Sequence, residues 1–192
     1  MPLRRLLLAS ASPRRADLLR RIGLDLEVRP ARVDETPRPR ESPEALVERL
    51  ARAKALALDD LPSPALIVAA DTIVVLNGRI LSKPGGPREA RGMLARLAGR
   101  THRVISGLAV RAHPEGELRS EVAVSRVTFS PMSGPAIDWY ASTGEGLDKA
   151  GAYALQGIGS LFISAIEGSY TNVIGLPLER LYPHLQRFAL LP

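Results

Sequence analysis

Asp71 stands alone in an apolar run, Leu66-Ile67-Val68-Ala69-Ala70-Asp71-Thr72-Ile73-Val74-Val75. A lone carboxylate in such a setting is costly unless it is paired, hydrogen-bonded or bound to metal. On a central strand Asp71 is a metal ligand or a general base; on an edge strand or bulge it sits in solvent. Val33-Asp34-Glu35-Thr36 closes a short predicted strand. Its acids either join Asp71 in an all-oxygen magnesium site or belong to ordinary loop surface. The cations misbehave in a complementary way. Ser12-Pro13-Arg14-Arg15 begins a helix, where the dipole favours Asp or Glu, and Arg15 takes the slot of a capping-box acid. Either the two arginines point into water, or backbone amides and guanidinium forks converge on phosphate. Leu81-Ser82-Lys83-Pro84-Gly85-Gly86 puts a lysine in a rigid glycine-rich loop. It is a point charge for phosphate or a solvated loop lysine.

Composition narrows the chemistry. The 192 residues include no Cys, which excludes a disulfide scaffold, a thiolate nucleophile and thiolate-held zinc. The three His, at 102, 113 and 184, are too scattered for a His-x-x-x-His site. Any metal must be held by oxygens, which favours Mg²⁺ or Mn²⁺. The formal charge of +6 reflects either arginine-rich solvated surfaces or attraction to a polyanion. Four Tyr, three Phe and one Trp, with no basic-aromatic stripe, argue against a nucleic-acid partner. The Leu6-Leu7-Leu8 run is far too short for a signal peptide or a membrane span, so no membrane is expected and the location expected is cytoplasmic.

The elements that must position these residues read as alternating β and α. Residues 4–9 form a strand, and Pro13 to Ile22 a helix with Ser12 as N-cap and Gly23 as its end. A short strand covers 25–30, and a capped helix runs from Ser42-Pro43-Glu44 to about Leu58. Ala65 to Leu76 is a strand ending in the Asn77-Gly78 turn, and Arg88 to Ala98 a helix closed by Gly99. Residues 101–111 and 119–129 form a hairpin around Pro114-Glu115-Gly116. A short helix covers Ser133 to Ser142; strands follow near 161–166 and 171–174, then a helix from Pro177 to about Phe188. The pattern predicts an α/β fold on a mixed sheet. The length predicts one domain spanning 1–192, or two tightly joined lobes.

Leu8-Ala9-Ser10-Ala11-Ser12-Pro13-Arg14-Arg15, Val33-Asp34-Glu35, Ala70-Asp71-Thr72 and Ser82-Lys83-Pro84, in this order, resemble the Maf proteins. So do Asp148-Lys149-Ala150-Gly151-Ala152-Tyr153-Ala154-Leu155-Gln156-Gly157 and Gly168-Ser169-Tyr170-Thr171-Asn172-Val173-Ile174-Gly175-Leu176-Pro177. The match spans essentially the whole chain. The resemblance implies an elongated mixed sheet flanked by helices, like the inosine triphosphate pyrophosphatases, with the active-site cleft between two lobes. It implies metal-dependent cleavage of nucleoside triphosphates to monophosphate and pyrophosphate, a house-cleaning activity, here on dTTP, UTP and modified pyrimidine relatives. By the same resemblance Asp71 is the catalytic base or the metal-centred acid, with Glu35 as its metal-binding companion. Arg14, Arg15 and Lys83 clamp the triphosphate and Ser10 lines the cradle; Lys54 falls at a family lysine position, and reads equally as a surface lysine snorkelling along an apolar helix. Thr72 and Gln156 fall where the family discriminates bases, and a Gln amide offers the donor and acceptor that a uracil or thymine edge requires. Thr171 departs from the aromatic residue often found after Gly-Ser-Tyr, which bears on fine substrate preference. Relatives often form homodimers. An older label, septum formation inhibitor, suggests the competing reading: a nucleotide-binding regulator of cell division that acts through a partner without turnover.

Overall fold

The computed structural model describes residues 5–58, 61 and 64–192. Arg4, the first residue of the predicted opening strand, lies outside them. The chain forms β1 (Arg5–Leu8), α1 (Pro13–Arg21), β2 (Glu27–Val28), α2 (Pro43–Leu56), β3 (Ala65–Leu76), β4 (Arg79–Leu81) and α3 (Pro87–Leu97). It continues through β5 (Thr101–His113), β6 (Leu118–Phe129), α4 (Gly134–Ser142), β7 (Ile163–Glu167), α5 (Tyr170–Ile174) and α6 (Leu178–Arg187). The sheet is mixed, seven-stranded and ordered β2-β1-β3-β5-β6-β7, with β4 paired to β3. Two compact units share the chain. One comprises Met1–Asp71, Ser106–Ala123 and Gly175–Pro192; the other comprises Thr72–Ile105 and Val124–Ile174.

In the first unit β1 lies parallel to both β2 and β3, with Leu7 opposite Ile67 and Leu8 opposite Val68. Ala65 through Ala70 are all buried, as expected for a parallel strand covered on both faces. Ala51 and Ala55 of α2 pack on Leu7, Ile67, Ala69 and Ala109. Their small side chains let the helix approach the sheet closely. Gly107 completes that approach: a Cβ there would lie 2.2 Å from the Val47 carbonyl oxygen. Arg111 then donates to the carbonyls of Ala55, Leu56 and Leu58, placing a cation at the negative end of α2.

The second unit holds the end of β3 and its hairpin partner β4, with Val74 opposite Leu81. Asn77 and Gly78 both have positive φ, as a tight two-residue turn requires. Leu94 and Leu97 of α3, Phe129 of β6 and Tyr140 of α4 fill its core. No described helix is long and apolar enough to cross a membrane.

Two local expectations fail. Residues 171–174, expected as strand, lie in α5. The Ser169 Oγ accepts from the Asn172 N–H, and the buried Asn172 amide donates to Val104 O and Ser125 Oγ. Those bonds close a helical turn that five residues of hydrophobic pattern cannot reveal. The strand expected over 25–30 shortens to two exposed residues, Glu27 and Val28.

Candidate active site

The first unit gathers charge around the end of β1 and the face of α2. Ser10, just past β1, is buried, and its Oγ accepts from the Ser12 N–H at 3.2 Å and from Arg15 Nη1 at 2.9 Å. Arg15 Nε donates to the Gly175 carbonyl at 2.7 Å. Arg15 therefore does not point into water; only 9% of it is exposed. Ser12 occupies the N-cap position but makes no side-chain cap bond, and the first turn of α1 carries no acid. The helix dipole at this end is thus left without an anionic side chain.

Lys54 is the hub. Its Nζ lies 2.6 Å from Asp71 Oδ1 and 2.6 Å from Glu35 Oε1. Lys54 and Asp71 are both buried, whereas the Glu35 side chain is 60% exposed. Asp71 lies on β3, three residues past its last pair with β1, and its burial excludes the solvent-facing alternative. Burial pulls the Arg15 pKa down from its ordinary value, Asp71 and Glu35 pull it back up, and neighbouring Arg14 lowers it further. Arg14, Arg15, Glu35, Lys54 and Asp71 therefore share one electrostatic neighbourhood.

The loop that carries Glu35 is tied to the same helix. Arg49 Nε and Nη2 fork onto the Glu41 carboxylate at 2.6 and 2.9 Å, and Nη2 also donates to Thr36 O at 3.1 Å. With the Arg38 N–H, that fork pushes the Glu41 carboxyl down to about 2. Asp34 Oδ1 accepts from the Thr36 N–H at 2.9 Å and so turns the chain at Glu35. One helix thus fixes both Lys54 and the acid that meets it.

Chemically, two carboxylates converge on one cationic point beside a buried guanidinium. Hard oxygen donors of this kind suit Mg²⁺ or Mn²⁺, which take one or two carboxylates and complete their shell with substrate phosphates and water. Among the described residues no group of three or more His, Cys, Asp or Glu is placed to hold a metal ion. The Glu35 and Asp71 carboxylates are oxygen donors of the kind a divalent cation takes, and the Lys54 ammonium lies against both.

The family model described as Maf-like protein matches residues 5–188. The chain belongs to the Maf family. Its relatives include a dTTP/UTP pyrophosphatase of Syntrophus aciditrophicus (strain SB), 49% identical over 182 residues, covering 95% of this chain and 89% of that one. Another, from Anaeromyxobacter sp. (strain Fw109-5), is 47% identical over 186 residues, covering 95% and 89%. A third, from Moorella thermoacetica (strain ATCC 39073 / JCM 9320), is 49% identical over 174 residues, covering 91% and 90%. Both are dTTP/UTP pyrophosphatases like the first.

In this Maf chain the residues singled out from sequence divide between the units. Ser10, Arg14, Arg15, Glu35, Lys54 and Asp71 lie together in the first. Thr72, Lys83 and Gln156 belong to the second, where Thr72 is half-buried and Lys83 and Gln156 are exposed. The backbone beside Lys83 is held by the Gly151 N–H, which donates to Ser82 O at 3.2 Å. Sequence reasoning passed over Arg49, Glu41, Gly107 and Arg111. Nothing in their spacing marks them, because their partners lie 8 to 60 residues away.

Proposed function

We propose that this chain hydrolyses dTTP, UTP and related pyrimidine nucleoside triphosphates between the α- and β-phosphates, releasing monophosphate and pyrophosphate. The observation that carries the reading is the buried Lys54–Asp71 pair, joined by Glu35, beside Arg15 at the mouth of α1. Attack by water on the α-phosphorus requires an oriented nucleophile and cations on the phosphate oxygens. Asp71 orients the water and accepts its proton, while Lys54 holds that carboxylate in position. Arg14, Arg15 and Lys83 bind the triphosphate oxygens, and Ser10 fixes the Arg15 fork through Oγ. Thr72 and Gln156 meet the base, with the Gln amide pairing to N3–H and a carbonyl. A divalent cation, Mg²⁺ or Mn²⁺, held by Glu35 and Asp71, would draw negative charge from the phosphoryl oxygens when bound. The reading sets the enzyme with the nucleotide pool in the cytoplasm, as a homodimer that sedimentation would test.

The decisive experiment is a pyrophosphate-release screen over canonical and modified triphosphates, with and without Mg²⁺ or Mn²⁺. Metal-dependent release from dTTP and UTP is expected. Asp71→Asn is expected to abolish turnover while nucleotide binding persists. Nucleotide binding by the native chain without any product would sink the hydrolase reading and restore a purely regulatory one.

A further inference from the structure

In the second unit one side-chain pair grips the chain on both flanks of Gln156. The Tyr140 hydroxyl donates to Glu145 Oε2 at 2.7 Å and accepts from the Ala154 N–H at 3.1 Å. Glu145 Oε1 accepts from the Ile158 N–H at 2.8 Å, and Oε2 accepts from the Gly159 N–H at 2.9 Å. The chain is thus tied two residues before Gln156 and again two and three residues after it. Tyr140 is buried in the core of this unit, so the anchor is rigid. Gln156 itself is exposed. The backbone held on both flanks fixes where its Cα–Cβ bond leaves the chain.

Glycines show how tightly the loop is wound on that anchor. A Cβ at Gly157 would lie 2.1 Å from Glu145 Oε1. One at Gly159 would lie 2.4 Å from Ala154 O and 2.5 Å from the Tyr140 hydroxyl. Gly157 also has φ of +149°, a conformation that side-chain-bearing residues rarely adopt. Burial works to raise the Glu145 pKa, but the hydrogen bonds from Tyr140, Gly159 and Ile158 hold it below the ordinary value. The group is therefore an anion that accepts three bonds at once.

We infer that Glu145, acting with Tyr140, is a positioning residue that aims Gln156 and thereby sets the base selectivity of the enzyme. The inference rests on the reading that Gln156 meets the base. Neither Glu145 nor Tyr140 need touch the nucleotide. Turning the carboxylate to an amide sets an N–H₂ against at least one of the two backbone N–H donors and loosens the loop.

The test measures kcat and KM for UTP and for GTP in wild type, Tyr140→Phe, Glu145→Gln, Gln156→Ala and the double variants with Gln156→Ala. Tyr140→Phe keeps the buried ring and removes only the hydroxyl, so it carries the test if Glu145→Gln does not fold. The UTP-to-GTP ratio of kcat/KM is expected to fall about tenfold or more in each single variant, mostly through KM for UTP. In the Gln156→Ala background the same changes should leave the ratio where Gln156→Ala put it. A merely structural role would slow both substrates alike and keep the ratio constant. If Gln156→Ala lowers the ratio but Tyr140→Phe does not, or lowers it additively, the positioning role is refuted and the base reading stands. If Gln156→Ala leaves the ratio unchanged, the base reading fails and this inference fails with it.

Discussion

Gly107→Ala offers a sharp test of how the fold holds its charged cluster. The added Cβ would meet backbone, not a movable side chain: Val47 O at 2.2 Å, Val47 C at 2.4 Å and Glu48 N at 2.8 Å. Relief to ordinary contact distance requires α2 to withdraw from β5 by roughly 1 Å, an overpacking strain that costs about 1–3 kcal/mol. Lys54 rides on the same helix, 2.6 Å from both carboxylates, so the same withdrawal loosens both ion pairs. Displacement of about 1 Å at a positioned group costs roughly 10²-fold in rate. For a chain of this size the strain corresponds to a melting temperature lower by about 2–12 °C. Gly92→Ala is the internal control. Gly92 lies in α3 with nothing within 4 Å of a built Cβ, so the same substitution is expected to stabilise by about 0.5–1 kcal/mol. Thermal melts and steady-state UTP hydrolysis on the two variants read both effects. If Gly107→Ala melts and turns over like wild type, the close seat of α2 is not what holds Lys54 against Asp71.

Two other outcomes follow from the same cluster and from the second core. Lys54→Met leaves the buried Asp71 without its cation and is expected to cost about 3–5 kcal/mol in urea titrations. In that variant millimolar Mg²⁺ should raise the melting temperature more than in wild type, because two carboxylates are left to share a cation; equal shifts would count against Glu35 and Asp71 as its ligands. Burial pushes the His102 imidazole down to about 4. The unfolded chain takes up a proton below about pH 6.5 that the folded chain refuses, so stability falls as pH drops from 6.5 towards 4. The slope is at most about 1.4 kcal/mol per unit and totals about 3 kcal/mol. His102→Gln should flatten the upper part of that curve, and an unchanged curve would assign the acid sensitivity elsewhere.

What could be read from sequence was what local rules govern. Ala65–Leu76 is legible because a continuous apolar run ends at Asn77-Gly78, and α2 because Ser42 and Pro43 announce it. Asp71 and the Arg14-Arg15 pair stood out because each violates a local preference, and a violation survives only where something distant compensates it. The compensation itself was illegible. Arg15 meets Gly175, 160 residues away, and Lys54 meets Asp71 across a helix and a strand. The helix over residues 171–174 was missed for the same reason, since Asn172 is fixed by Val104 and Ser125 rather than by its neighbours.

The cluster makes poor sense as a device for stability. Arg15, Lys54 and Asp71 are each at most 9% exposed, and burying ion pairs of this kind rarely gains over apolar packing of similar volume. Nor is it balanced: Arg14, Arg15 and Lys54 set three cations against the carboxylates of Glu35 and Asp71, leaving one positive charge. A nucleoside triphosphate carries about four negative charges near neutral pH. With Lys83, which the proposed function sets on the triphosphate, and the roughly half charge of the helix N-terminus, about 2.5 positive charges still fall short of neutralising it. The shortfall is why the carboxylates matter: acids that only repelled phosphate would weaken a binding site, whereas acids that admit a divalent cation with the nucleotide convert the deficit into a near balance. Tight triphosphate binding in chelator, undiminished by removal of divalent ions, would break that chain of reasoning at its central step.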